Sequence, residues 1–438
     1  MSRPHRIVIV GAGVAGLELA TRLGNRLGKR GRAEITLIDA ERVHLWKPLL
    51  HEVAAGTLDP AEHEVTLLAH ARRHHLRFRI GRLETLDRSQ SLVWLAPYYN
   101  EEGEELIPRR SFPYDTLIIA VGSISNDFHT PGVAEHCWFL DTLPEAEKFQ
   151  HHLLEALLKA GTHKPRKPGM DPLDVIIVGG GATGVELAAQ LHQISRQLTQ
   201  YGFDELDPDQ RVRITIIEAG PRILPALPDR LSQNVTQELE SLGIRVITGE
   251  RVTEVSAEGM KTAEGNFLPA AIKVWAAGIR APDCLDHLDG LETNRSHQLK
   301  VRRNLLTTLD ERIFAIGDCA DIPADAKGNK TPPRAQAAHQ QARFIARAIR
   351  RRLKGKREIG EYVYRDYGSL VTLGRYDTVG SLMGSLTGSV WVSGLIARMV
   401  YLSLYKMHQV ALHGWLRTLA LTLAHLLRRT VDPQIKLH

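Results

Sequence analysis

Two short stretches share one grammar and raise the question of chemistry first. "IVIVGAGVAGLELATRL" (7–23) and "VIIVGGGATGVELAAQL" (175–191) each run an apolar, β-branched segment into G-x-G-x-x-G and then into a helical pattern. Gly11, Gly13 and Gly16 in the first, and Gly179, Gly181 and Gly184 in the second, have the spacing of a loop that carries a pyrophosphate. The first glycine permits a tight turn, the second lets backbone approach the phosphates, and the third lets helix pack on strand. The next apolar strand ends in an acid in both cases, Asp39 after "ITLI" and Glu218 after "RITII". Each carboxylate is placed to accept hydrogen bonds from a ribose. Glu218 would also repel a 2′-phosphate, which favours NADH over NADPH, and Arg222 nearby softens that preference.

Other side chains could act on whatever those loops hold. Gln336 and Gln340 stand at i and i+4, so a helix would bring both amides to one face and one ligand. Glu18 and Glu186 each follow the third glycine by two residues, where the helix dipole favours a carboxylate. Lys47 and His51 belong to an apolar and aromatic loop beyond Asp39. The three cysteines, Cys137, Cys284 and Cys319, are far apart and lack C-x-x-C or C-x4-C spacing. That count argues against a disulfide framework, a zinc site or a dithiol centre, and no metal is expected.

The elements that must position these residues are strand–loop–helix–strand units. "YDTLIIAVGS" (114–123) and "KVWAAGIRA" (273–281) read as apolar strands that close the two units at Gly122 and Gly278. "TTLDERIFAIGDCA" (307–320) is a further strand leading into Gly317-Asp318. The pattern predicts an α/β fold with two Rossmann-like dinucleotide-binding domains, the second inserted in the first. We place the first domain at 1–145 and 297–365, the inserted domain at 146–296, and a C-terminal region at 366–438. "GTHKPRKPGMDP" (161–172) reads as a surface loop.

This ordered set of motifs resembles the two-dinucleotide-binding flavoproteins and, within them, the bacterial type II NADH:quinone oxidoreductases. The most specific pieces are "HLWKPLLHEVAAGTLDP" (44–60), "RAQAAHQQA" (334–342), "YGSLVTLGRYDTVGSLMG" (367–384) and "VYLSLYKMHQVALHGWLRT" (400–418). The resemblance implies one non-covalent FAD at Gly11, Gly13, Gly16, Asp39, Gly122 and Asp318, the last on the flavin's ribityl chain. It implies NADH as substrate at Gly179, Gly181, Gly184, Glu218 and Gly278, and a membrane quinone, ubiquinone or menaquinone, as acceptor without proton pumping. It puts Glu186 near the nicotinamide as a positioning group and Lys47 near the flavin, where a cation offsets the charge of the reduced ring. Gln336 and Gln340 then line the quinone pocket. A sulfide:quinone oxidoreductase is the nearest alternative, and Cys137 and Cys319 could in principle pair, but that chemistry has no need of the second dinucleotide site. A membrane-bound NADH sensor with a structural flavin is another; it could dispense with the paired glutamines.

Charge and hydropathy add the location. The 438 residues are 43% apolar and 24% charged, which suits folded domains, and the formal charge is +6. From Ser385 to His438 six Lys/Arg face one Asp, and 343–357 holds eight basic residues and no acid. The best apolar run, "TLALTLAHLL" (418–427), covers roughly 15 Å as a helix, about half the hydrocarbon thickness. It predicts amphipathic helices lying on anionic lipid, worth roughly 1 kcal/mol per basic residue. On one continuous helix Arg398, Lys406, Arg417 and Arg428 would share an arc, although Gly394 and Gly414 could break it. No signal peptide is read at the N-terminus. The expectation is a peripheral protein on the cytoplasmic face of the bacterial inner membrane, forming a homodimer, with no nucleic-acid partner.

Overall fold

In a computed structural model the chain is described at residues 3–100, 102–162, 173–199, 212–325, 328, 330–356, 358–372, 378–384 and 388–428. Most of the loop at 161–172 therefore lies outside the described residues. Apolar runs without alternation are the mark of parallel strands covered on both faces. The first run is such a strand: Ile7 and Ile9 are fully buried in His5–Val10. It is central in a five-stranded parallel sheet ordered Ile313–Ala315, Thr116–Ile119, His5–Val10, Ala33–Asp39, Arg77–Ile80. A second parallel sheet is ordered Arg245–Thr248, Val212–Glu218, Leu173–Val178, Ile272–Trp275. The edge strand Ile313–Ala315 of the first sheet thus follows the whole second sheet in the chain.

The helices that open on the glycine loops are α1 (Val14–Arg26) and, in the second unit, Ala182–Thr199. Between them lies the short helix α2 (Leu50–Ala54), so the second unit's helix is α3. Each unit also carries a three-stranded antiparallel excursion before its closing strand. In the first this is Leu83–Asp87, Leu92–Leu95 and Arg110–Pro113; in the second, Val252–Val255, Gly259–Thr262 and Phe267–Pro269. The repeat between the units therefore extends beyond the fingerprints. Helix α4 (Ala335–Arg352) packs along α1 and closes the first unit.

A three-stranded antiparallel sheet, Gly368–Thr372, Thr378–Gly384 and Gly388–Ser393, leads to the last two helices. These are α5 (Gly394–His413) and α6 (Trp415–Arg428). Gly414 separates them in the left-handed region at φ +80°. Of the two arrangements allowed for, the break at Gly414 is the one present, and the single arc of Arg398, Lys406, Arg417 and Arg428 is not: two of these residues belong to each helix. The polarity of α6 is reversed relative to a helix on a water-facing surface. Thr418 is 5% exposed and Thr422 and His425 are half-buried, while Leu427 is 72% and Leu416 66% exposed. Trp415, Leu419, Leu423 and Leu426 are exposed with them. Among the described residues no helix is long and apolar enough to cross a membrane.

Candidate functional site

The two glycine loops are built alike. Gly11 adopts φ +104° and Gly179 φ +112°. A side chain at Gly11 would overlap the Ala120 carbonyl of the closing strand, and one at Gly179 would lie 2.6 Å from the Ala276 carbonyl oxygen. A Cβ at Gly16 or Gly184 would overlap the carbonyl of the loop's own first glycine. At Gly13 and Gly181, by contrast, an added Cβ would meet nothing within 4 Å. The first and third glycines are thus required by the protein's own packing, whereas the second leaves an open cradle at a helix N-terminus. Unpaired N–H groups and the dipole favour a phosphate there. The residues fit a dinucleotide at each loop.

Both strand-ending acids have a role that spacing alone did not disclose. Asp39 Oδ2 accepts from the Ala12 N–H and Oδ1 from the Glu41 N–H at 2.8 Å. Glu218 Oε2 accepts from the Gly180 N–H at 2.7 Å and Oε1 from the Gly220 N–H at 2.7 Å. Each acid clamps its own glycine loop, and a carboxylate keeps lone pairs for a ribose as well. Burial raises the Asp39 carboxyl, against the opposing pull of those amides. Arg222 is drawn away from the expected role beside Glu218, since it donates to the Leu227 carbonyl at 2.7 Å and pairs with Asp229 at 3.1 Å.

On the first unit Asp318, Ser123 and Lys47 come together. The Ser123 hydroxyl donates to Asp318 Oδ2 at 3.0 Å, and Lys47 Nζ donates to the Ser123 carbonyl and to Asp141 Oδ1, each at 3.0 Å. Burial raises the Asp318 carboxyl, which the Ser123 bond and the Lys47 charge oppose. Gly122 and Gly317 flank this group at φ +74° and +79°. Gly278, in the second unit, takes φ +68° against the Phe128 ring.

Glu186 and His51 meet between the units. His51 Nδ1 lies 3.6 Å from Glu186 Oε2, and both side chains are buried. They come from α2 and α3, which pack together. Burial pushes the His51 imidazole down to about 4, against the Pro48 carbonyl, so it is neutral near pH 7. Its Nε2 is buried with no hydrogen-bond partner among the described residues, an atom suited to a ligand. Glu18, the counterpart in the first unit, is fully buried and held by Arg22 at 2.6 Å, Arg343 at 3.4 Å and His339.

Gln336 and Gln340 do share one face of α4, but that face meets the segment 365–367. Gln340 donates to the Arg365 carbonyl at 2.7 Å and accepts from its N–H at 2.9 Å. Gln336 donates to Asp366 at 3.2 Å and accepts from the Tyr367 N–H at 3.2 Å. Both amides thus fasten the segment 365–367, Gln340 through the Arg365 main chain and Gln336 through the Asp366 carboxylate and the Tyr367 N–H. The neighbouring Gln341 accepts from the Gly317 N–H at 2.6 Å and so ties α4 to Asp318.

The cysteines stay apart. Cys319 is buried in the first unit's core, Cys137 packs against a smaller core cluster of the second, and burial pushes both thiols up to about 12. They are protonated, unpaired thiols and poor nucleophiles. What sequence reasoning missed is a set of buried histidines under α5. His44 and His408 approach at 3.0 Å between Nε2 atoms, the His339 ring lies tilted against His408, and His70 lies against His74 and His413. Burial lowers His44 and His74 to about 4 and His70 to about 3. The 20 histidines in the chain were the available signal, without spacing to join them.

Comparison with known proteins bears on this geometry. Residues 5–342 match the family model of pyridine nucleotide-disulphide oxidoreductases. The chain is 42% identical to the type II NADH:quinone oxidoreductase of Haemophilus influenzae over 99% of both chains. It is 28% identical to type II NADH:quinone oxidoreductase Ndh of Mycobacterium tuberculosis, over 95% of this chain and 87% of that one. Among solved structures, NDH2 from Plasmodium falciparum in complex with NADH superposes with a TM-score of 0.81 at 20% identity, covering 99% of this chain and 100% of that one. The sulfide:quinone oxidoreductase of Aquifex aeolicus shares the fold at a TM-score of 0.71 and 18% identity, over 94% and 92%.

Proposed function

We infer the activity from one premise: this chain belongs to the pyridine nucleotide-disulphide oxidoreductase family and, within it, to the type II NADH:quinone oxidoreductases. It oxidises NADH through FAD and reduces a quinone. Bound FAD supplies the hydride acceptor and the electron store. The observation that carries the division of labour is the pair of open cradles at Gly13 and Gly181, each braced by its acid and its closing strand.

Our reading gives the first cradle, with Asp39, Gly122 and Asp318, to FAD and the second, with Glu218 and Gly278, to NADH. The domains follow the boundaries set out above, with 146–296 inserted between the halves of the FAD-binding domain. Glu186 and His51, at the junction of α2 and α3, hold the nicotinamide end where hydride transfer needs close alignment more than acid–base chemistry. Lys47, already beside the Asp318 group, offsets negative charge on the reduced ring. Gln336 and Gln340 shape the quinone side of the site by fixing 365–367. The buried, protonated cysteines weigh against sulfide chemistry.

Quinone is dissolved in lipid, and the reversed polarity of α6 supports a place for it at the bilayer surface. Exposed apolar area of this kind marks a membrane or protein contact. A peripheral association on the cytoplasmic face through α5 and α6 is our reading; a homodimer that covers the same leucines is the second. The test of function is anaerobic mixing of the FAD-loaded protein with NADH and then with a short-chain quinone, following flavin absorbance. Bleaching by NADH and recovery with quinone are expected. No bleaching by NADH, but bleaching by sulfide, would overturn the reading.

A further inference from the structure

One cluster of ligating side chains lies outside the site just described. The turn Pro60–Glu62 follows α2, which carries His51, and it places Glu62 and His63 against His425 on the inner side of α6. One donor atom from each of the three lies within 4.8 Å of the other two. We propose that Glu62, His63 and His425 form a binding site for a divalent transition-metal ion, which clasps the C-terminal helix to this loop.

The geometry is that of a ligand set. His425 Nδ1 and Glu62 Oε2 are 3.4 Å apart. That is the edge of a tetrahedron whose metal–ligand bonds are about 2.1 Å, the length for zinc with imidazole and carboxylate. The His63 and His425 rings stand edge to face, 5.4 Å between centroids. The Tyr405 hydroxyl lies 2.9 Å from His63 Nδ1 and accepts from Gln409 Nε2 at 3.0 Å. A partner on one ring nitrogen fixes the orientation of a ligating histidine and leaves the other nitrogen for the metal. Two imidazoles and a carboxylate suit Zn²⁺ and its neighbours over Mg²⁺ or Ca²⁺, and three protein donors leave a fourth position for water. Asp59 lies close enough to act on His63 electrostatically and adds negative charge, while Lys406, the nearby cation, donates to Gln409 at 2.9 Å. The site also accounts for a histidine on the hidden face of a helix whose leucines point outward.

The test uses the full-length, FAD-loaded protein in detergent, without a polyhistidine tag, stripped with chelator and then dialysed against Zn²⁺. One retained ion per chain is expected, with a higher melting temperature than the stripped protein. His425→Gln, His63→Gln and Glu62→Gln should each lower the affinity at least tenfold and abolish the thermal shift. FAD content at the parental level shows which of these variants are folded, and any one that is folded decides the matter. Tyr405→Phe should weaken binding by about tenfold through the His63 ring. Co²⁺ in place of Zn²⁺ should give d–d absorption to the red of the flavin bands, absent in the His425→Gln protein. Retention of no ion would reduce the cluster to a histidine–carboxylate ion pair and overturn the proposal. So would one ion retained with equal affinity by the folded variants.

Discussion

Gly13 and Gly16 belong to one motif yet answer to different constraints. A methyl group at Gly16 would overlap the Gly11 carbonyl, whereas at Gly13 it would meet no atom within 4 Å. Gly16→Ala should therefore destabilise the fold by about 1–3 kcal/mol, as overpacking does, and lower the melting temperature. Gly13→Ala should fold normally but lose FAD on gel filtration, and Gly181→Ala should keep FAD while its KM for NADH rises at least tenfold. If Gly181→Ala left KM unchanged, the second cradle would not be the NADH site. Glu186→Gln should slow flavin bleaching by NADH about tenfold and leave reoxidation by quinone intact; equal effects on both steps would make the residue structural. Replacing Gln336 and Gln340 together by Ala should slow reoxidation and spare bleaching, and a change in melting temperature alone would confine them to holding 365–367. At this scale the third glycines were legible because their constraint lies within their own loop, whereas the first also answer to Ala120 and Ala276 of the closing strands. The clamps on Ala12 and Gly180, and the His51 partner of Glu186, were not legible, because each depends on chain brought from elsewhere.

At the scale of elements, sequence spacing foretold the parallel strands and the helices on the glycine loops, since unbroken apolar runs and helical periodicity act within one segment. It did not foretell the antiparallel excursions, whose short strands alternate weakly, and it allowed for the break at Gly414 without deciding it. The left-handed conformation there divides the last two helices, and only the folded chain reveals that α6 hides Thr418 and shows its leucines. Replacing Leu419, Leu423 and Leu427 by Ser should move the protein from sedimenting anionic vesicles to the supernatant, with NADH bleaching unchanged. Undiminished sedimentation combined with loss of a dimer would move the leucine face to the second reading.

The whole molecule is knitted by side chains at opposite ends of the sequence, with His44 against His408 and Glu18 against His339. His44, His70 and His74 are neutral when folded, with pKa values of about 4 for His44 and His74 and about 3 for His70, yet they protonate near 6.5 in the unfolded chain. The unfolded state then binds more protons as pH falls below about 6.5, and stability drops by about 1.4 kcal/mol per pH unit for each such histidine. Their contribution is complete above pH 6.5 and is lost steadily toward pH 4. Melting temperatures measured from pH 7.5 to 5 should fall steeply, and a flat profile would contradict the buried neutral cluster. No spacing rule joins residues so distant, so this part of the architecture was silent in the sequence. The outward leucines of α6 carry one more consequence. If the helix rests in a bilayer as we propose, the enzyme meets its acceptor by lateral travel, and collisions scale with copies per unit of surface and not per unit of volume. Membrane area, and the crowding of other proteins upon it, then sets how much of this enzyme can work at once.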